Sequence, residues 1–163
     1  YEIRLSLVGS EMCIRDSLGS MLTSMCRAAG GTKIIAPLRS AAAEVVAPLV
    51  EGFDNIFIIN PLSYLEFGYL TSNAKGIVTD SGNVAEEATF NGVPCVTLNS
   101  YTEHIETVKF GSNELVGEDA VKLGEAVSDI VKGQWKTSSL PDRWDGRTAE
   151  RILQILMDLK SNR

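Results

Sequence analysis

The stretch IVTDSGNVAEEATFNGVPCVTLNS, residues 77–100, decides how this chain folds. It opens on the end of a short apolar run, Ile77 and Val78, which is typical of a buried strand. Small polar residues follow at 79–82, and a helical pattern then runs to Gly92, which suits the left-handed position that ends a helix. A second apolar run at residues 93–98 completes the pattern, so this stretch predicts one βαβ unit.

The helix of this unit is predicted to bury one side. Val84, Ala88 and Phe90 are expected on the buried side, with Glu86 and Glu87 between them. Because the flanking runs are short and apolar, the helix is expected to pack on the sheet that they form.

The turn at Ser81 and Gly82 has the features of an anion site. A helix that starts near Gly82 directs unpaired backbone N–H groups and a positive dipole end at the space above Ser81. Gly82 permits a close approach, Ser81 adds a hydroxyl, and phosphate is a common ligand of such a turn. Glu87, just over one turn into the helix, can accept hydrogen bonds from a ribose diol. These residues alone leave open the alternative that Ser81 only caps the helix and Glu87 is solvated.

Composition is that of a globular domain with a core of its own. The chain has 163 residues, of which 44% are hydrophobic and 22% charged. Its net charge is −6 and it has no basic stripe, which argues against nucleic acid or an anionic membrane surface as a partner. An anionic ligand must therefore be held by local donors.

Cysteine and histidine content argue against a metal site. Cys13, Cys26 and Cys95 lack metal-ligand spacing, and the only histidine is His104. Cys95 is expected to be a small core residue. No apolar run approaches the roughly 20 residues of a membrane span, and no signal peptide is evident. The sequence therefore predicts a cytoplasmic protein with no metal.

Helix and strand patterns alternate along the rest of the chain. Ser40 is predicted to cap a helix that runs to about residue 49, and Pro61 to open another at its first turn. The apolar run at residues 55–60 is typical of a strand buried on both faces of a parallel sheet. Further helices are predicted at residues 18–29, 118–132 and 148–159, and further strands at 33–36 and 113–117. This alternation predicts an α/β fold, a parallel sheet with helices on both faces.

Several ordered motifs resemble the UDP-N-acetylglucosamine 2-epimerase family. They are TDSGNVAEEA at residues 79–88, GVP at 92–94, TEHIE at 102–106 and NELVG at 113–117, with PLSYLEF at 61–67 and WDGRTAERI at 144–152. The likeness covers about residues 33–159. It implies that residues 18–163 form the C-terminal, Rossmann-like domain of a two-domain GT-B-type fold, truncated at its N-terminus.

The resemblance implies an isomerase of cell-surface polysaccharide biosynthesis. The family interconverts UDP-N-acetylglucosamine and UDP-N-acetylmannosamine by eliminating and re-adding UDP, without a redox cofactor. Its acid and base carboxylates lie in the N-terminal domain, so we expect no catalytic residue in this chain, which alone would be inactive. The implied partners are a UDP-sugar substrate and the missing N-terminal domain; a homodimer is compatible with the sequence.

The resemblance also assigns the residues that bind UDP. They are Leu62, Phe67, Ser81, Gly82, Asn83, Glu87 and His104. Phe67 and the backbone at Leu62 would border the uracil. His104 stands where the family has an arginine, and one imidazole donor grips a phosphate less well than a guanidinium fork. For His104, the alternative of an ordinary surface group stays open.

Two other functional classes remain open on the sequence. A GT-B glycosyltransferase shares the fold and the ribose-binding acid, and a non-catalytic module could bind a nucleotide sugar. The sequence also does not separate a hydrolysing from a non-hydrolysing epimerase.

Residues 1–17, YEIRLSLVGSEMCIRDS, resemble a translated sequencing adapter and are expected to be non-native. A divergent strand is the alternative, since Ile3, Leu5 and Leu7 alternate with polar residues. The family's first strand should precede Leu18 and lie centrally in the sheet. Without it, the strands at 33–36 and 77–78 would face a gap, which residues 3–8 are expected to fill by default.

Overall fold

The structure, a computed structural model, describes residues 11–161 and the side chains of residues 17–160. Helices and strands alternate through most of this part. The helices are α1 (Glu11–Ala29), α2 (Ser40–Val46), α3 (Tyr64–Ser72), α4 (Gly82–Asn91), α5 (Ile105–Lys109), α6 (Ala120–Lys132) and α7 (Thr148–Ser161). The strands are β1 (Ile34–Pro37), β2 (Ile56–Ile59), β3 (Ile77–Thr79), β4 (Cys95–Thr97) and β5 (Asn113–Leu115).

All strand pairing within residues 11–161 is parallel. β1 pairs with β2, and β3, β4 and β5 form a second sheet in that order. A helix connects each strand to its parallel neighbour, as parallel pairing requires. The predicted α/β class and the predicted βαβ unit, β3–α4–β4, are confirmed.

A groove of about 550 Å³ separates the two sheets. β1 and β3 both line it, and in the described part of the chain they do not pair with each other. β1 and β3 are therefore not direct neighbours, as the prediction of a strand between them requires. The prediction that residues 3–8 fill it concerns residues outside the described part.

The main core forms where α1 packs against α6. Buried apolar side chains face each other there: Leu18, Met21, Leu22, Met25 and Cys26 from α1, and Leu123, Ala126 and Val127 from α6. α1 begins at Glu11, so it includes residues that the sequence analysis assigned to the non-native segment. Val121, in the first turn of α6, is 69% exposed and does not contribute to this core.

α4 buries a different set of residues from the one predicted. Val84 and Ala88 are buried as expected, but Phe90 is 60% exposed. Phe90 lies two residues beyond Ala88, a rotation of about 200° around the helix, so it faces the opposite side. Ala85 and Thr89 occupy the buried side instead. Gly92 ends the helix with φ 67°, as predicted.

Two predicted helix starts are wrong. Ser40 is the first residue inside α2 rather than its cap. Pro61 lies in the loop before α3, which begins after a capping box formed by Ser63 and Glu66. The Ser63 N–H donates to Glu66 Oε2 at 2.9 Å, and the Glu66 N–H donates to Ser63 Oγ at 3.5 Å. These reciprocal bonds satisfy two N–H groups at the start of the helix that have no partner within it.

β2 is not buried on both faces, contrary to the prediction. Phe57 on this strand is 42% exposed, and the Lys33 ammonium lies 5.8 Å from the centroid of its ring. α7 likewise has an apolar side in solvent, with Ile152, Ile155 and Leu156 each more than half exposed.

A buried chain of three hydrogen bonds joins β4, β5 and the start of α5. Thr97 Oγ1 donates to Asn113 Oδ1 at 2.7 Å, and Asn113 Nδ2 donates to Thr107 Oγ1 at 3.1 Å. Thr107 Oγ1 then donates to the His104 carbonyl at 2.7 Å. The first three side chains are at most 2% exposed, so the chain fixes the position of His104 from within the core.

Replacing Thr107 by valine tests this chain of bonds. Valine keeps the shape but leaves a buried Asn113 N–H without its acceptor, so we expect the free energy of unfolding to fall by about 1–3 kcal/mol. Urea denaturation measures the change, and Thr137→Val, at an exposed threonine, is the matched control. A loss no larger than that of the control would show that the bonds contribute little.

Gly111 lies between α5 and β5 and leaves no room for a side chain. A Cβ there would lie 2.6 Å from the Thr107 carbonyl oxygen, a backbone atom that cannot turn aside. We expect Gly111→Ala to destabilise the fold by about 1–3 kcal/mol through overpacking. Gly31→Ala, where a Cβ meets nothing within 4 Å, should change the unfolding midpoint far less. Equal midpoints for the two variants would contradict the packing described.

Candidate functional site

The turn between β3 and α4 is held in place from both sides. The Ser81 N–H donates to Thr79 Oγ1 at 3.1 Å, and Asn99 Nδ2 donates to the Asp80 carbonyl at 2.9 Å. Thr79 ends β3, and Asn99 lies in the loop after β4. The turn is therefore fixed at the carboxyl edge of the sheet, where open α/β folds bind ligands.

The start of α4 presents backbone donors at this edge. Ser81 is the N-cap residue, with φ −92° and ψ 122°, and its side chain makes no capping hydrogen bond. The Ala85 N–H makes the first bond of the helix, to the Ser81 carbonyl at 3.2 Å. The amides of residues 82–84 thus have no partner within the helix and point along the positive end of its dipole. The alternative that the Ser81 hydroxyl serves as the cap does not hold.

His104 lies directly over Gly82. A Cβ built on Gly82 would be 2.6 Å from His104 Cδ2 and 2.9 Å from Nε2, so only glycine admits the ring in this position. The backbone of His104 is held on both sides. Its N–H donates to Thr102 Oγ1 at 3.0 Å, and its carbonyl also accepts from the Thr107 N–H at 3.0 Å. The imidazole therefore lies against the start of α4.

Glu86 is the residue of this site that the sequence analysis missed. Its Oε1 lies 2.8 Å from His104 Nδ1, with both side chains about one third exposed. Glu86 follows Gly82 by four residues, which places both on the same face of α4. That spacing was readable in the sequence, but the contact of α5 with α4 was not. Solvent screens a pair this exposed, so its main effect is on geometry rather than on stability.

The other predicted site residues are placed by their elements. Phe67 on α3 and Ser81 line the same groove, Phe67 being partly buried against the apolar side of α4. Asn83 is exposed in the first turn of α4, and Glu87 is partly buried about 6 Å further along the helix axis. Leu62 is partly buried in the loop before α3. The structure thus brings together Ser81, Gly82 and His104, and Phe67 lines the same groove as Ser81.

The buried Cys95 and the partly buried Lys136 have a structural role. Burial raises the pKa of the Cys95 thiol to about 12, so it is neutral and unreactive in the folded protein. Burial lowers the pKa of Lys136, whose ammonium donates to the Val108 and Asn113 carbonyls and so ties the chain after α6 to α5 and β5.

Within the described residues, no three His, Cys, Asp or Glu side chains are grouped to hold a metal. The same part of the chain contains no helix that is both long and apolar enough to cross a membrane. What the site offers is backbone N–H groups, one hydroxyl and one imidazole around an open space. This set of donors is suited to holding an anion.

Sequences of known proteins resemble this chain over most of its length. Residues 14–157 match the family model for UDP-N-acetylglucosamine 2-epimerase. The chain is 32% identical to the UDP-N-acetylglucosamine 2-epimerase of Campylobacter jejuni over 165 residues, 91% of this chain and 42% of that protein. It is 47% identical to the enzyme of Methanocaldococcus jannaschii over 103 residues, 62% of this chain and 27% of that protein.

Solved structures show the same fold. The M. jannaschii enzyme in complex with UDP-GlcNAc and UDP matches with a TM-score of 0.71 at 32% identity, covering 88% of this chain and 41% of that one. A second structure of that enzyme matches with a TM-score of 0.72. The chain spans less than half the length of these relatives. The family match, the identities and the shared fold show that the chain belongs to the UDP-N-acetylglucosamine 2-epimerase family.

Proposed function

We propose that this chain is the UDP-binding part of a UDP-N-acetylglucosamine 2-epimerase, with residues 18–163 as its C-terminal domain. The observation that carries the proposal is the start of α4 at the carboxyl edge of the sheet. There the amides of residues 82–84 have no partner within the helix, and the His104 imidazole lies against Gly82. The M. jannaschii relative, solved with UDP-GlcNAc and UDP, supports UDP as the ligand.

The diphosphate binds at the start of α4. Its charge interacts with the amides of residues 82–84, the Ser81 hydroxyl and His104. Glu87, further along the helix, accepts hydrogen bonds from the ribose diol, because its carboxylate has only acceptors to offer. Phe67 and the backbone at Leu62 border the uracil. Phe67 lines the same groove as Ser81.

In the reaction, this part of the protein holds the leaving group. Elimination of UDP places negative charge on the diphosphate, and donors fixed in advance stabilise that charge without reorganising. The proton transfers at carbon 2 need an acid and a base, which we assign to the N-terminal domain of the same enzyme. This chain alone would bind UDP and not interconvert the two sugars.

Several earlier predictions are not tested by this structure. The non-native origin of residues 1–17, a cytoplasmic location and a homodimer all stay predictions. A GT-B glycosyltransferase would share the fold, but the family match over residues 14–157 favours the epimerase.

Two substitutions test the proposed UDP contacts. We expect Ser81→Ala and Glu87→Ala each to weaken UDP binding by about 1–3 kcal/mol, because each removes a polar partner of the bound nucleotide. Titration calorimetry on this chain measures the affinity. Ser139→Ala and Glu125→Ala, at exposed positions on other elements, are matched controls that should bind UDP as the wild type does. Unchanged affinity in both test variants would exclude the assignment.

A further inference from the structure

We propose that the Glu86–His104 pair makes diphosphate binding dependent on a proton. In this proposal His104 grips a phosphate oxygen through Nε2 only as the imidazolium, and Glu86 is the positioning residue that imposes this requirement. The inference rests on the proposed function, since it concerns how the same site holds UDP.

The hydrogen bond to Glu86 decides which ring nitrogen carries the proton. His104 Nδ1 lies 2.8 Å from Glu86 Oε1, and an ionised carboxylate can only accept. Nδ1 therefore carries a hydrogen in the neutral ring, which leaves a lone pair on Nε2. A lone pair repels a phosphate oxygen. Nε2 becomes a donor only when the ring takes up a second proton.

Nε2 lies on the edge of the ring that faces the anion position. The Cδ2 and Nε2 atoms are the ones that approach Gly82, 2.6 and 2.9 Å from where its Cβ would be. The amides that begin α4 lie at the same place. Because Thr102 and Thr107 hold the His104 backbone on both sides, that edge of the ring stays over the start of α4.

The charges around His104 are mostly negative. The elements packed against it carry Asp80, Glu86 and Glu87 on the α4 side, Glu103, Glu106 and Lys109 around α5, Glu114 on β5, and Lys136 near the end of α5. A bound phosphate stabilises the protonated ring. The complex therefore keeps its proton to a higher pH than the free protein. UDP affinity should be greatest at low pH and fall as the pH rises.

This behaviour would differ from that of a family member with arginine at this position. A guanidinium is charged at every physiological pH, so its grip on a phosphate does not depend on a proton. Histidine at position 104 would instead make the hold on UDP depend on pH.

The chain offers a direct measurement, because His104 is its only histidine. The pH midpoint of its imidazole proton signal can be followed by NMR with and without UDP. We expect UDP to move this midpoint upward by about one pH unit, equivalent to a roughly tenfold difference in UDP affinity between the two ring states. Calorimetry in buffers of different ionisation enthalpy should show proton uptake on UDP binding at about pH 7.5.

Three variants separate the parts of the proposal. When UDP binds to the His104→Arg variant, the only proton exchanged should be that of UDP itself, whose phosphate titrates near pH 6. Glu86→Gln keeps an acceptor but removes the charge, so the midpoint should move down and UDP affinity at about pH 7.5 should fall several-fold. Glu106→Gln, which removes the same charge from an exposed residue of α5 that makes no ion pair with the ring, is the control and should change both much less.

Each outcome decides a different claim. If UDP binds but the wild-type midpoint does not move, and proton uptake equals that of His104→Arg, the proton linkage is wrong while UDP binding stands. If Glu86→Gln behaves like Glu106→Gln, Glu86 does not position the ring. If neither the wild type nor His104→Arg binds UDP at any pH, the proposed function fails and this inference fails with it. The comparison of wild type with and without UDP needs no variant to fold.

Discussion

The site depends on the buried hydrogen bonds that run from Thr97 through Asn113 and Thr107 to the His104 carbonyl. They connect two strands to the first residue before α5, and they lie in the core, where an unmade bond is costly. Because of them, the start of α5 cannot move independently of the sheet. The start of α4 is fixed to the same sheet by the turn after β3, so the two helix starts are held against each other.

The local part of this arrangement could be predicted from sequence. The βαβ unit, the glycine that ends α4 and the donors at its start all follow from residues within 24 positions of one another, 77–100. Phe90 lies about 200° around the helix from Ala88, so helical spacing places it on the exposed side. The capping box of Ser63 and Glu66, rather than Pro61, starts α3. Both features are local in sequence.

What could not be predicted is contact between elements distant in sequence. The pairing of Glu86 with His104 requires α5 to pack on α4, and nothing in the spacing of the two residues specifies that. The separation of β1 from β3 is different, because the family resemblance implies a central strand before α1, and in the described part of the chain β1 and β3 do not pair with each other. Sheet topology is thus more predictable than the side-chain contacts at its edge.

The central claim is that an anion binds at the start of α4, beneath His104. Backbone amide NMR of this chain during a UDP titration tests it most directly, since the amides of residues 82–84 are the proposed donors. We expect the largest chemical-shift changes on these amides and on His104, and these changes should saturate with the same affinity. Saturating changes elsewhere, with residues 82–84 and His104 unaffected, would contradict it.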